Sequence, residues 1–120
     1  MSLNPQYVPG HGLLKGRSVL ITAAAGAGIG FSAARRCAEE GCRALMISDI
    51  HPRRLEEAVA KLKEETGLAE VYGQLCNVTV EEEVQALVAA AEARLGGVDV
   101  LINNAGLGGQ KRVVDMSDEE

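Results

Sequence analysis

The hydrophobic positions of this chain alternate between two spacings. Short, nearly continuous apolar runs occur at Arg17 to Thr22, Arg43 to Ser48 and Val98 to Ile102, with a weaker one at Glu70 to Cys76. Between them, apolar residues recur every three or four positions: Ile29, Ala33, Ala34, Cys37 and Ala38, then Leu55, Ala58, Val59 and Leu62, then Val84, Leu87, Val88, Ala91 and Leu95. The runs predict strands covered on both faces, and the spaced sets predict amphipathic helices. Helix boundaries are marked as well. Gly41, Gly67 and Gly96-Gly97 stand where helices end, His51-Pro52 opens the second helix, and Thr79-x-x-Glu82 has the form of a capping box.

Strict alternation of strand and helix predicts a parallel sheet with helices on both faces and right-handed crossovers. The fold class is therefore α/β, a three-layer, doubly wound Rossmann-like arrangement of which four strands and their helices are present. Residues 1–16, interrupted by Pro5, Pro9, Gly10, Gly12 and Gly16, read as an arm that packs Leu13-Leu14 on the domain edge and is long enough to clasp a second subunit. Residues 17–120 read as the domain. Ser117-Asp118-Glu119-Glu120 announces another helix, and the fourth strand would be an apolar edge on its own, so the chain reads as the N-terminal part of a larger protein.

The chain has 120 residues, 47% of them hydrophobic and only 2% aromatic, which supports one aliphatic core. A net charge of −5 gives no basis for binding nucleic acid or an anionic membrane. No secretory signal pattern is visible, and the most apolar stretch, Val19 to Ala34, is too short to span a bilayer comfortably. Cys37, Cys42 and Cys76 are odd in number and lack metal-ligand spacing, so they read as reduced thiols of a cytoplasmic protein, with no metal site.

The candidate chemistry begins after the first strand. Ala23-Ala24-Ala25-Gly26-Ala27-Gly28-Ile29-Gly30 is a loop of small residues opening a helix. Such a turn lets a ligand approach the backbone, and the helix N-terminus suits a pyrophosphate. Asp49 ends the second strand nineteen residues beyond Gly30, where a carboxylate can hold an adenosine ribose and repel a 2′-phosphate, which favours NAD over NADP. Asp49 can equally cap the following helix, and Arg53 and Arg54 are cations that could accept a 2′-phosphate.

Asn103-Asn104-Ala105-Gly106, preceded by Asp99-Val100-Leu101-Ile102, reproduces the Asn-Asn-Ala-Gly motif of the short-chain dehydrogenase/reductase family. Gly28-Ile29-Gly30 resembles the end of that family's glycine-rich turn, and Cys76-Asn77-Val78-Thr79 resembles the segment whose side chain and backbone touch adenine. The resemblance covers about residues 13–120. It implies cofactor binding by Gly26, Gly28, Ile29, Gly30, Asp49, Asn77, Val78, Asn104, Ala105 and Gly106, and hydride transfer with a small carbonyl or alcohol substrate in a dimer or tetramer. Two departures stand out: Ala23 occupies the first glycine position if Thr22 is the family threonine, with Gly26 supplying the lost backbone freedom, and Asn77 stands where Asp is commoner. The family's catalytic Tyr-x-x-x-Lys has no counterpart, since neither Tyr7 nor Tyr72 is followed by a lysine at that spacing, so no catalytic residue is assigned. The alternatives are a truncated or degenerate dinucleotide-binding domain without turnover and a methyltransferase holding S-adenosylmethionine, the latter disfavoured by Asn103-Asn104-Ala105-Gly106.

Overall fold

A computed structural model describes residues 8–23 and 28–103 of the chain. It contains β1 (Ser18–Ile21), α1 (Ile29–Glu39), β2 (Ala44–Asp49), α2 (Pro52–Thr66), β3 (Val71–Leu75), α3 (Glu81–Leu95) and β4 (Val100–Ile102). All three strand pairings are parallel, and the strand order is β3-β2-β1-β4.

The centres of β1 and β2 are apolar and buried because both faces are covered. Val19, Ile21, Leu45, Ile47 and Val71 pack with Phe31, Ala34 and Cys37 of α1 and with Leu55, Ala58 and Leu62 of α2. Leu20, Ala44 and Met46 face the other way, onto Leu87, Ala91 and Leu95 of α3. Progression along the sheet therefore reverses after β3, and the covering face changes with it, as crossovers of one hand require. The reversal leaves a switch point between β1 and β4, where ligands of open α/β sheets bind beyond the carboxyl ends of the strands.

Several boundaries differ from the periodicity. The buried side of α1 is formed by Gly30, Phe31, Ala34 and Cys37, whereas Ile29 is exposed. The stripe is rotated because α1 must turn its one aromatic residue into the core. The capping box is not made: α3 begins after Val80, with no side-chain cap. Thr79 turns back instead, its N–H and hydroxyl both donating to Asn77 Oδ1 at 3.0 and 2.6 Å. β4 starts at Val100, and Asp99 just before it clasps Ser18: its carboxylate accepts the Ser18 N–H (2.9 Å) and hydroxyl (3.2 Å), and its own N–H donates to the Ser18 carbonyl (3.1 Å). β4 pairs with β1 alone among the described residues, and Leu101 on it is largely exposed.

The end of α1 forms a Schellman turn: Cys42 N–H donates to the Cys37 carbonyl and Gly41 N–H to the Ala38 carbonyl. Gly41 takes the left-handed conformation, φ +83°, that the motif needs and that glycine adopts without strain. The apolar contact that accompanies such a turn falls to the two thiols. Burial, and then the neighbouring Cys37, pushes the Cys42 thiol up to about 11. Burial also raises Cys37 and Cys76, and all three cysteines are free and buried.

The described part of the arm, residues 8–16, is held by its own domain. The buried Glu40 carboxylate accepts the N–H groups of His11 (2.7 Å) and Leu13 (3.3 Å) and pairs with Arg36 at 2.7 Å. Arg36 in turn donates to the carbonyls of Val8 and Pro9. Leu14 packs on the core as its sequence suggests, but Leu13 is 74% exposed.

Candidate dinucleotide site

The carboxyl edge of the sheet gathers the predicted residues that fall within the described region. At the switch point, Thr22 N–H donates to the Ile102 carbonyl (3.1 Å) and Thr22 Oγ1 donates to Asn103 Oδ1 (3.1 Å). The glycine-rich loop and the Asn103 segment thus leave the sheet side by side. Gly26, Asn104, Ala105 and Gly106 lie outside the described residues, as does the helix expected from Ser117.

Ala23 has a positive φ of 52°, the conformation a glycine would adopt without strain. This supports pairing Thr22 with the family threonine. The left-handed conformation that the first glycine would take is adopted by Ala23 itself. On the far side of the loop, Gly28 is the N-cap of α1 and no side chain caps it. A Cβ built on Gly28 would meet nothing within 4 Å among the described residues. The first-turn N–H groups of a helix lack intrahelical partners, and α1 has no acidic residue there to compete with an anion. The exposed Ile29 stands at the same end of α1, with the buried Gly30 behind it.

One strand over, Asp49 is half-buried at the end of β2, and its Oδ1 accepts the His51 N–H at 3.1 Å. Asp49 does not cap α2, whose N-cap is His51 with no side-chain cap, but its bond to the His51 N–H orders the turn that leads into that helix. A carboxylate has about four acceptor positions, so this bond leaves it able to bind ribose hydroxyls as well. Arg53, the first of the two competing cations, is turned along α2 and pairs with Glu57 at 3.2 Å.

β3 delivers Asn77 beside Asp49. Asp49 is the register partner of Leu75, and Cys76 N–H donates to the Asp49 carbonyl at 3.0 Å. Asn77 is fixed on three sides: its N–H donates to Glu83 Oε1 (3.0 Å), its carbonyl accepts Val80 N–H (3.0 Å), and its side-chain oxygen accepts from Thr79. Thr79 and Glu83 were not among the site residues predicted from sequence. The signal was available in Asn77-x-Thr79, an Asx-turn spacing, but the capping-box reading absorbed Thr79. Val78 follows, exposed, and joins Leu20, Val84, Leu87, Val88 and Leu101 in an apolar groove whose polar rim is Thr22 and Asn103.

Ser48, one residue before Asp49, is fully buried on the α3 side of the sheet, and its hydroxyl has no hydrogen-bond partner among the described residues. No group of three or more His, Cys, Asp or Glu among the described residues is arranged to hold a metal ion. No described helix is long and apolar enough to cross a membrane.

Comparison with known proteins agrees with this geometry. The family model described as short chain dehydrogenase matches residues 17–120. A reductase of Mycobacterium tuberculosis, (5R,7aS)-5-hydroxy-7a-methyl-1-oxo-2,3,5,6,7,7a-hexahydro-1H-indene-carboxyl-CoA reductase, is 50% identical over all of this chain, which covers 45% of that protein. The crystal structure of a short chain dehydrogenase from Mycobacterium smegmatis superposes with a TM-score of 0.82 at 52% identity, covering 96% of this chain and 46% of that one. The 7α-hydroxysteroid dehydrogenase solved with NADH and 7-oxo glycochenodeoxycholic acid gives a TM-score of 0.73 at 38% identity, over 87% of this chain and 39% of its own. The chain spans less than half the length of these relatives.

Proposed function

From the premise that this chain belongs to the short-chain dehydrogenase family, whose members bind NAD or NADP, we propose that it is the cofactor-binding part of an NAD(H)-dependent oxidoreductase. The observation that carries the reading is Asp49 at the end of β2, on the strand adjacent to the one that leads into α1, whose N-terminus has no side-chain cap among the described residues. The residues fit a dinucleotide. Gly28, Ile29 and Gly30 leave room for a pyrophosphate, Asp49 accepts from ribose hydroxyls, and Asn77 and Val78 meet the base. Gly26, Asn104, Ala105 and Gly106 complete the proposed set.

The bound nicotinamide supplies a hydride donor or acceptor. The role of this chain is to position it: the α1 N-terminus neutralises phosphate charge, the Asp49 carboxylate orients the ribose and penalises a 2′-phosphate, and the Thr22–Asn103 bond holds the two loops together. No general acid or base is assigned within this chain. The reading includes a small-molecule carbonyl or alcohol substrate, a cytoplasmic location and a dimer or tetramer, with the 1–16 arm available to an oligomer contact. The name of the M. tuberculosis relative makes a fused-ring ketone carried as a coenzyme A thioester the first substrate to test.

Asp49→Ala tests the cofactor assignment. Losing charge-assisted bonds of about 1.5–3 kcal/mol should weaken NADH roughly tenfold or more and narrow its margin over NADPH. An unchanged NADH-to-NADPH ratio in a titration would remove Asp49 from the ribose site.

A further inference from the structure

Little apolar contact holds the start of the described arm to the domain. Every residue from 8 to 13 is exposed, and Leu14 is where the arm first packs on the core. The contacts that fix residues 8–13 are polar and converge on the end of α1. Glu40, only 4% exposed, accepts the N–H groups of His11 (2.7 Å) and Leu13 (3.3 Å) on Oε1. Its Oε2 pairs with Arg36 at 2.7 Å, and Arg36 donates to the carbonyls of Val8 and Pro9. All of these contacts reach the backbone of the arm rather than its side chains. The fit is close: a Cβ on Gly10 would fall 2.0 Å from the Glu39 carbonyl oxygen, so only glycine can lie there.

Both oxygens of one buried carboxylate are thus engaged in holding the arm. Protonation turns an acceptor into a donor facing N–H donors, and it removes the charge that orients Arg36. We infer that the arm is a latch held shut by the ionised Glu40 carboxylate, which opens over residues 8–13 in acid while the sheet stays folded. Among the described residues, the charged groups that act on Glu40 are Arg36 of α1 and His11 of the arm, and both favour the closed latch. The His11 N–H first, then the Leu13 N–H and Arg36, hold the Glu40 carboxyl below its ordinary value of 4.5, against the opposing effect of burial. A lowered native value makes the latch fully effective above pH 4.5, and its hold is lost as pH falls through the native value. Leu14 marks the hinge. Its N–H donates to the main-chain carbonyl of Glu40 (3.0 Å), an acceptor that protonation of the side chain leaves in place. Val19 and Leu45 lie fully buried in the core and take no part in the latch, so the opening is local.

The test is amide hydrogen exchange of the protein followed by NMR from neutral pH to about pH 3, corrected for the intrinsic pH dependence of exchange. His11 and Leu13 should lose protection together, with a midpoint below 4.5, while Leu14, Val19 and Leu45 stay slow. Glu40→Gln removes the charge at constant size. It should speed exchange of His11 and Leu13 at neutral pH by about tenfold or more, as the loss of charge-assisted bonds requires. Gly10→Ala keeps Glu40 and Arg36 but drives a methyl group into the Glu39 carbonyl. It should open the same two amides at neutral pH and abolish their acid transition, and it serves equally if Glu40→Gln fails to fold. His11 and Leu13 amides that open only together with Val19 and Leu45 overturn the inference. So does protection at these two amides that is unchanged in a folded variant.

Discussion

Gly73 sits in edge strand β3 directly beneath α2, and replacing it by alanine probes how closely that helix lies on the sheet. A Cβ at this position would fall 2.9 Å from Val59 Cγ2, 3.0 Å from Leu55 Cγ and 3.2 Å from Leu55 Cδ1. Comfortable carbon–carbon contacts lie at about 3.5–4.0 Å, so three contacts are compressed at once. Neither neighbour yields easily. Val59 is β-branched and stiff at χ1 within a helix, and Leu55 is buried in the cluster shared by β2 and β3. Overpacking of this kind costs about 1–3 kcal/mol. Against it, alanine restricts the unfolded chain and returns about 0.4–1 kcal/mol. Gly73→Ala should therefore destabilise the protein by about 1–2 kcal/mol, measured as a lower urea midpoint at unchanged slope. Val59→Ala in the same chain should recover part of the loss, with a coupling of about 0.5 kcal/mol or more. A Gly73→Ala protein as stable as the wild type would refute the close approach of α2 to β3.

Three further outcomes follow from local geometry. Ala23→Gly removes left-handed strain of about 1–2 kcal/mol at an entropic cost of about 0.5–1 kcal/mol, so thermal unfolding should shift upward by a net of roughly 0.5–1 kcal/mol. The bond from the Ser18 N–H to Asp99, together with its hydroxyl, holds the Asp99 carboxyl below its ordinary value of 3.8. A lowered native value stabilises the fold above about pH 3.8 and is lost as pH falls through the native value, so Asp99→Asn should flatten the acid limb of the stability profile. The three buried thiols, with Cys42 at about 11, should resist a thiol reagent at pH 8 until the protein is unfolded with urea.

What the sequence reveals and what it conceals divide along physical lines. Strand and helix order was legible because burial on both faces of a parallel sheet leaves continuous apolar runs, as in Val19-Leu20-Ile21. Asp49 was legible as a position at the end of β2, and the structure sets it next to the β3 end that leads into Asn77, while its bond to His51 orders the turn before α2 without capping it. The rotated face of α1 was not legible, since alanine and glycine carry little amphipathic signal and Phe31 decides which side is buried. Nor was the Asn77–Thr79–Glu83 arrangement, because a threonine and a glutamate ahead of a helix suggest a capping box until coordinates show an Asx turn. Ala23 shows the converse: a departure from the family's glycine pattern that the backbone absorbs where it occurs.

The central claim is that the carboxyl edge of this sheet binds a nicotinamide dinucleotide. Isothermal titration of the protein with NADH, with NADPH and S-adenosylmethionine in parallel cells, tests it most directly. Saturable one-to-one binding of NADH is expected, with weaker binding of NADPH if the Asp49 carboxylate holds the ribose as proposed, and no binding of S-adenosylmethionine. Heat from S-adenosylmethionine alone, with neither dinucleotide binding, would contradict it.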